Sequence, residues 1–243
     1  MSISKELIRG VKKRMQGIGI DLARYQASSH PVAKRAQQLR DHSIDCVLDV
    51  GANTGQYARN LRDLGYRGRI VSFEPMLKAY GTLIKNAASD RNWETLNIAL
   101  GESSGEMTIK IAENSWSSSL LDVKDSHISA MSSARCVGSE TIEVKRLDDV
   151  LGGICKPGEN IFLKIDTQGF EKQVLEGAQQ SLPKIDMLQI EMSFVELYEN
   201  QALFVEMYEL VCKQGFQLTC LEDLWWDQNT GQLMQVDGVF QRA

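Results

Sequence analysis

The chain has 243 residues, 43% of them hydrophobic, with a formal net charge of −5. That length supports one full-sized α/β core with a small appendage, and the acidic balance argues against a nucleic-acid partner, whose phosphates need a basic surface. Cysteines 46, 136, 155, 212 and 220 form no Cys-x-x-Cys pair and have no histidine at zinc spacing, so they read as reduced core thiols of a cytoplasmic protein; no stretch is long and apolar enough to be a transmembrane segment.

Residues 1–44 read as a helical cap, with helices over 1–42 broken at Ser28-Ser29-His30-Pro31, ahead of a domain at 45–243. The cations Lys5, Arg9, Lys12, Lys13 and Arg14 read as a solvated helix face, with contact to an anionic membrane or lipid-linked substrate as the alternative. From 46 onward strands alternate with helices, as in a parallel sheet. Strands are expected at 46–50, 69–73 and 94–99, with helices at 56–64, stopped by Gly65, and at 78–88. An insertion at about 102–147 breaks the rhythm: 107–111 and 141–145 alternate as an antiparallel pair around a long loop carrying the Ser-rich segment 114–119. The parallel pattern resumes with a strand at 161–166, a helix at 170–182 stopped by Pro183, and a strand at 187–192. A helix at 203–214 ends at Gly215, and strands at 216–221 and 233–241 close the chain around a turn at 227–231. A mostly parallel seven-stranded sheet with a closing antiparallel hairpin is the class I methyltransferase, Rossmann-like, architecture.

Residues 46–55 read Cys-Val-Leu-Asp-Val-Gly-Ala-Asn-Thr-Gly, and Glu74 follows Gly55 by nineteen residues at the end of the next apolar run. An apolar strand opening into a Gly-spaced turn, followed by a strand that ends in an acid, is how a doubly wound sheet holds an adenosine-containing cofactor. A dinucleotide site wants Gly-x-Gly-x-x-Gly and a helix N-terminus for the pyrophosphate. Here Gly51 and Gly55 stand alone, with Asn53 between them and Asp49 ahead. An acid there suits the ammonium of S-adenosylmethionine and would be poor beside a pyrophosphate. The expected cofactor set is Asp49 at the ammonium, directly or through water, Gly51, Ala52, Asn53, Gly55 and Tyr57 along the turn, and Glu74 with Pro75 at the ribose. Asn97 and Ala99 are expected at the adenine, and Ser117 and Ser118 at a cofactor carboxylate or substrate hydroxyl. Asn97 is alternatively a strand-end residue bonding local backbone, and the serines a solvated loop.

Several segments together resemble one family. They are Leu48-Asp-Val-Gly-Ala-Asn-Thr-Gly-Gln-Tyr57, Ser72-Phe-Glu-Pro75, Asn97-Ile-Ala-Leu-Gly101, Ser117-Ser-Ser-Leu-Leu121, Arg146-Leu-Asp-Asp149, Leu163-Lys-Ile-Asp-Thr-Gln-Gly-Phe-Glu171 and Val174-Leu-Glu-Gly177. In that order and spacing, over roughly 45–242, they are similar to the FkbM-type S-adenosylmethionine-dependent methyltransferases. The resemblance implies O-methylation of a hydroxyl on a sugar or glycoconjugate, or on a polyketide or lipid. Glu191-Met-Ser-Phe-Val-Glu-Leu-Tyr198 looks most like members associated with sugars, and Asp237-Gly-Val-Phe240 fits the family's last strand. One departure is Thr167-Gln168, where many members carry Val-Glu. A cofactor-binding protein without catalysis is the reading from another class.

A sugar hydroxyl is a poor nucleophile until it loses its proton, so a base or a metal is expected. Asp166 is the first candidate, at the end of a strand on the same sheet edge as Asp49 and Glu74, with Lys164 two residues earlier on the same face. Glu191 ends the next strand, and the two acids either bind Mg²⁺ or orient the sugar by hydrogen bonds. His127, in the insertion, is the other base candidate, with a lone surface histidine as the alternative. Trp225-Trp226 offers an indole face for a sugar ring, with burial of at least one expected. The acceptor and the oligomeric state, homodimer included, are left open by the residues.

Overall fold

The computed structural model describes residues 5–20, 26 and 30–243. The chain divides into two compact units, Met1–Asp41 and His42–Ala243. The first contains helices α1 (Lys5–Gln16) and α2 (Pro31–Asp41); Ser28 and Ser29 of the expected break lie outside the described residues. Pro31 opens α2, where its missing N–H is one that no helix could pair.

The second unit starts with β1 (Cys46–Val50), α3 (Gln56–Asp63), β2 (Arg69–Phe73), α4 (Leu77–Ala87) and β3 (Trp93–Leu96). The insertion follows as β4 (Ala99–Leu100), β5 (Gly105–Ala112), α5 (Asp125–Ala130) and β6 (Cys136–Lys145), and leads into α6 (Leu147–Ile154). The chain then returns through β7 (Ile161–Ile165), α7 (Glu171–Glu176), β8 (Met187–Ser193) and α8 (Phe204–Lys213), and ends in the hairpin β9 (Phe216–Trp226) and β10 (Leu233–Arg242). One seven-stranded sheet has the order β3-β2-β1-β7-β8-β10-β9, and a three-stranded sheet the order β4-β6-β5. In the large sheet β10 pairs antiparallel with both β8 and β9, and the other pairs are parallel. This is the class I methyltransferase fold.

Helices cover a parallel sheet on both faces, so its strands read as apolar runs rather than alternations. Every residue of β1 and β7 is buried, and Leu48, Phe73, Leu163, Ile165, Leu188 and Phe240 join one core. Each such side chain contributes about 1.5–3 kcal/mol by leaving water. One polar row crosses this sheet. Parallel register places Asp49 beside Ser72 on one side and Lys164 on the other, with Gln189 beside Lys164. The row lies one residue before the end of β1 and carries the only charges on either central strand.

Several elements differ from the expected ones. The run 94–99 splits into β3 and β4, which belong to different sheets. Asn97 turns the chain between them, its amide donating to the carbonyls of Glu74 at 2.9 Å and Pro75 at 2.8 Å. Helix α6 was not anticipated, and the expected helix 170–182 is only the short α7 followed by a 3-10 turn at Leu182–Lys184. Here Gly177 abuts the Gly101 carbonyl, and Asp148 Oδ1 accepts bonds from Gln180 N and Ser181 N at 3.0 and 2.9 Å, which draws the chain off the helical path. The long loop of the insertion holds α5 and a 3-10 turn, Ser132–Ala134.

Candidate active site

A cavity of about 440 Å³ opens at the carboxyl ends of β1, β2, β7 and β8, the crevice where this class of sheet places ligands. Its walls differ in chemistry. The small sheet presents Ala99, Ile109 and Ile142, which pack with Met76 and Leu120 into an apolar wall. A second, polar wall carries Lys164, Asp166, Gln168, Glu191 and Asp237. The turn after β1 puts Gly51, Ala52 and Asn53 on the cavity surface, and Glu74 lines it as well.

The turn needs its glycines for two reasons. Gly51 and Gly55 have φ of +79° and +86°, in the left-handed region. A Cβ on Gly51 would collide with the Asp166 carbonyl oxygen, and one on Gly55 with the Trp93 ring and Leu83. The close approach is therefore to β7 and to the core, and Gly55 is not on the cavity surface. Asn53 shares the left-handed backbone at φ 47°, a region Asn tolerates. Its N–H donates to Glu74 Oε2 at 2.8 Å, and Met76 N–H donates to Glu74 Oε1 at 2.9 Å. Glu74 thus ties the turn to the end of β2. It is 3% exposed, and burial pushes its carboxyl up to about 7 against the pull of those two backbone bonds.

Lys164 lies deepest in the acidic wall. Its Nζ is 3.4 Å from Asp49 Oδ1, 3.3 Å from Asp166 Oδ2 and 5.3 Å from the centre of the Tyr57 ring. Burial alone would discharge it, but Asp166, Asp49 and Asp237 hold it protonated, above the usual lysine range. Asp49 is fully buried; burial raises its carboxyl, Lys164 and the Ser72 hydroxyl pull it back, and it does not reach the cavity. The direct contact expected between Asp49 and a ligand ammonium is not available on this cavity surface, where Asp49 is paired with Lys164 instead. Tyr57 lines the cavity and donates to Gln189 Oε1 at 2.7 Å, and Gln189 Nε2 donates to Asp237 Oδ2 at 2.6 Å.

Asp166 and Glu191 do come together, but through an amide. Gln168 Nε2 donates to Asp166 Oδ1 at 2.8 Å and to Glu191 Oε2 at 2.9 Å. Burial, with Asp166 and Glu171 nearby, raises the Glu191 carboxyl well above its usual range. Among the described residues no group of three or more His, Cys, Asp or Glu is placed to hold a metal. An amide sits between the two acids of the expected Mg²⁺ pair and takes up the lone pairs a cation would need, so these residues as arranged do not fit the ion.

His127 is not in the cavity. It sits in α5, 2% exposed, with its ring 5.1 Å from Tyr198 edge-on and 5.7 Å from Trp225. Burial lowers its pKa to about 4, and its Nδ1 is buried without a hydrogen-bond partner. A neutral imidazole behind the wall has no path to an acceptor proton. His127→Phe is expected to be neutral or stabilising by about 1 kcal/mol at pH 7, since it removes an orphaned polar atom. The wild type binds fewer protons folded than unfolded between the two histidine pKa values, so His127 titration costs nothing well above 6.5 and removes about 3 kcal/mol of stability as pH falls to 4. His127→Phe should flatten that acid limb in urea titrations; an unchanged limb would remove His127 as its source.

Other expected residues divide. Pro75, Ala99 and Ser118 line the cavity; Asn97 and Ser117 do not. Asn97 bonds only the local backbone in the contacts above, and Ser117 accepts from the Asn114 amide at 3.0 Å. Trp225 packs with Tyr198 and Met234, and Trp226 is half-exposed, away from the cavity. The sequence reading passed over Gln168, Asp237 and Trp116 as cavity residues, and over the apolar wall. Ile109 and Ile142 both fall on apolar beats of the alternation in 107–111 and 141–145, which was the signal for that wall.

Comparison with known proteins finds the following similarities. The chain is 25% identical over 184 residues to the 2-O-methyltransferase NoeI of Sinorhizobium fredii (strain NBRC 101917 / NGR234), covering 73% of this chain and 75% of that one. Among solved structures, an rRNA methylase from Streptococcus thermophilus aligns with a TM-score of 0.48 and 12% identity over 90% of this chain and 99% of that one. TehB from Haemophilus influenzae aligns with a TM-score of 0.48 and 12% identity over 88% and 62%. The model of the methyltransferase FkbM domain matches residues 49–218, from the Asp49 turn to β9, and the chain belongs to the FkbM methyltransferase family.

Proposed function

We propose that the chain is an S-adenosylmethionine-dependent O-methyltransferase acting on a hydroxyl of a sugar or glycoconjugate, with residues 45–243 as its methyltransferase domain. The observation that carries this reading is the cavity with two unlike walls. The apolar wall of Met76, Ala99, Ile109 and Ile142 suits an adenine, and Glu74 at the edge of the turn suits two ribose hydroxyls. The acidic wall suits a cationic sulfonium and ammonium beside a polyhydroxylated acceptor. The similarity to a 2-O-methyltransferase supports oxygen as the acceptor atom. The free cysteines fit a reducing compartment, and we place the protein in the cytoplasm; no described helix is long and apolar enough to cross a membrane.

S-adenosylmethionine, when bound, supplies a methyl group already activated on a sulfonium. The residues then have two tasks: to hold the acceptor oxygen in line with that carbon, and to take its proton. Asp166 is the base in this scheme. Lys164 at Oδ2 and Gln168 at Oδ1 fix its carboxylate, and its side chain is 34% exposed, so the proton can return to water. Lys164, Glu191 and Asp237 bind and orient the acceptor hydroxyls around it.

Calorimetric titration with S-adenosylhomocysteine, with NAD⁺ in parallel, tests the cofactor. Saturable micromolar binding of the former alone, followed by methyl transfer to members of a sugar panel, is the expected result; binding of NAD⁺ alone, or of neither, would end the reading. Glu74→Ala is expected to weaken S-adenosylhomocysteine binding about a hundredfold, from lost ribose bonds and a loosened turn, and to destabilise the fold by about 1–3 kcal/mol through two orphaned backbone donors. Glu74→Gln keeps the shape. Because burial holds the Glu74 carboxyl near 7, ionising it opposes folding, so free-protein stability declines as pH rises from about 4.5 through 7. Glu74→Gln should reduce that slope.

A further inference from the structure

Gln168 makes contacts that together resemble those of a bound cation. Its two amide protons are both used, one on Asp166 Oδ1 at 2.8 Å and one on Glu191 Oε2 at 2.9 Å. Gln235 Nε2 adds a second donor to Glu191 Oε2 at 2.8 Å. On the other side, the Gln168 amide oxygen lies 2.9 Å from the Tyr198 hydroxyl, and the Gln168 carbonyl accepts from Ser119 Oγ at 2.6 Å. Reversing the amide would aim its oxygen at the Asp166 carboxylate and at the Glu191 oxygen that already accepts from Gln235, so these partners fix its orientation.

The backbone of Gln168 is left-handed, with φ of +56°. A long side chain avoids that region at a cost of roughly 1–2 kcal/mol, and such strain persists where the surroundings over-determine it. Here Gly169, also at positive φ, and the bonds from Ser119 and Tyr198 hold the strained turn in place. The result of that arrangement is a single nitrogen within hydrogen-bond distance of two carboxylates from different strands.

A divalent cation would occupy the same position between the two acids, drawing its ligands to about 2.0–2.6 Å and completing its shell with other oxygens, waters among them. The amide uses the same lone pairs while adding no charge. We propose that Gln168 stands in for a metal ion: it is a positioning residue that holds Asp166 and Glu191 as a pair, makes methyl transfer independent of divalent cations, and leaves the chain one substitution, Gln168→Glu, from a three-carboxylate cation site. The bearing on turnover rests on the proposed function; the absence and creation of a metal site do not.

The test titrates Mn²⁺ alone into the full chain at neutral pH, with free Mn²⁺ read by electron paramagnetic resonance. Wild type is expected to show no saturable site tighter than about 1 mM, while Gln168→Glu binds one ion on the order of tenfold or more tightly. Adding Asp166→Asn to Gln168→Glu should abolish that gain. A folded Gln168→Glu chain, confirmed by its thermal melt, that gains no affinity would overturn the proposal. So would a tight wild-type site that disappears in Asp166→Asn, a comparison that decides the matter even if Gln168→Glu does not fold. S-adenosylhomocysteine binding by the same wild-type sample reads the cofactor assignment separately. With an acceptor in hand, wild-type turnover should ignore a chelator, whereas Gln168→Glu should slow in chelator and recover with Mg²⁺.

Discussion

Asp166→Asn is expected to lower methyl transfer by about a thousandfold while leaving S-adenosylhomocysteine affinity within about threefold of wild type. The carboxylate follows the last residue of β7, and its backbone N–H donates to the Val50 carbonyl at 3.1 Å, so its position is set by strand pairing with β1. Asn can keep the bond from Gln168 by turning its oxygen to that side. Its nitrogen then faces Lys164, which retains Asp49 as a partner at 3.4 Å, so the local fold should survive. What is lost is a group able to take a proton from the acceptor hydroxyl. The assay is mass-spectrometric detection of methylated acceptor at saturating cofactor. Turnover within about tenfold of wild type would place the base elsewhere on the acidic wall.

Lys164→Met should cost about 3–5 kcal/mol of stability, because it strands the Asp49 carboxylate. Asp49 is wholly buried, and its Oδ1 has no hydrogen-bond partner beyond the ion pair with Lys164. The attraction between the two offsets much of the desolvation of each, so removal of one leaves an uncompensated charge under the turn. The deficit should shrink at low pH, where Asp49 accepts a proton and becomes neutral. Asp49→Asn combined with Lys164→Met should recover much of the loss, since the two sites share one interaction. Urea unfolding of the four proteins of the cycle measures this. A single-mutant cost below about 1 kcal/mol would mean that water or another donor reaches Asp49.

The two predictions concern residues of different legibility. Asp166 could be placed from the sequence because an apolar run ends in an acid just where a parallel strand delivers side chains to the crevice. The same local logic located Gly51, Asn53 and Glu74: turn geometry depends on residue type within a few positions, and Gly or Asn is required where φ is positive. Strand and helix alternation likewise gave the sheet type and the closing hairpin. It failed at α6 and at the end of α7, where the backbone follows the packing of Gly177 on Gly101 and the bonds to Asp148.

The partners of those side chains were beyond the sequence. Asp49 looked like an open carboxylate and is instead covered and paired with Lys164, its register neighbour from a strand more than a hundred residues later. His127 had the chemistry of a base, but the fold turned it against Tyr198 and Trp225, where burial keeps it neutral. Gln168 read as a missing acid; folding places its amide between two carboxylates.

Sequence by itself determined the turn, the cavity acid that follows β2 and the family, because these reside in short-range backbone demands and ordered motifs. Tertiary structure decided which acids face the cavity, which are neutralised within the core, and what lies between Asp166 and Glu191. Those outcomes depend on strand register and burial, and a carboxylate, amide or imidazole acquires its charge and its task only from neighbours that the chain brings to it across the sheet.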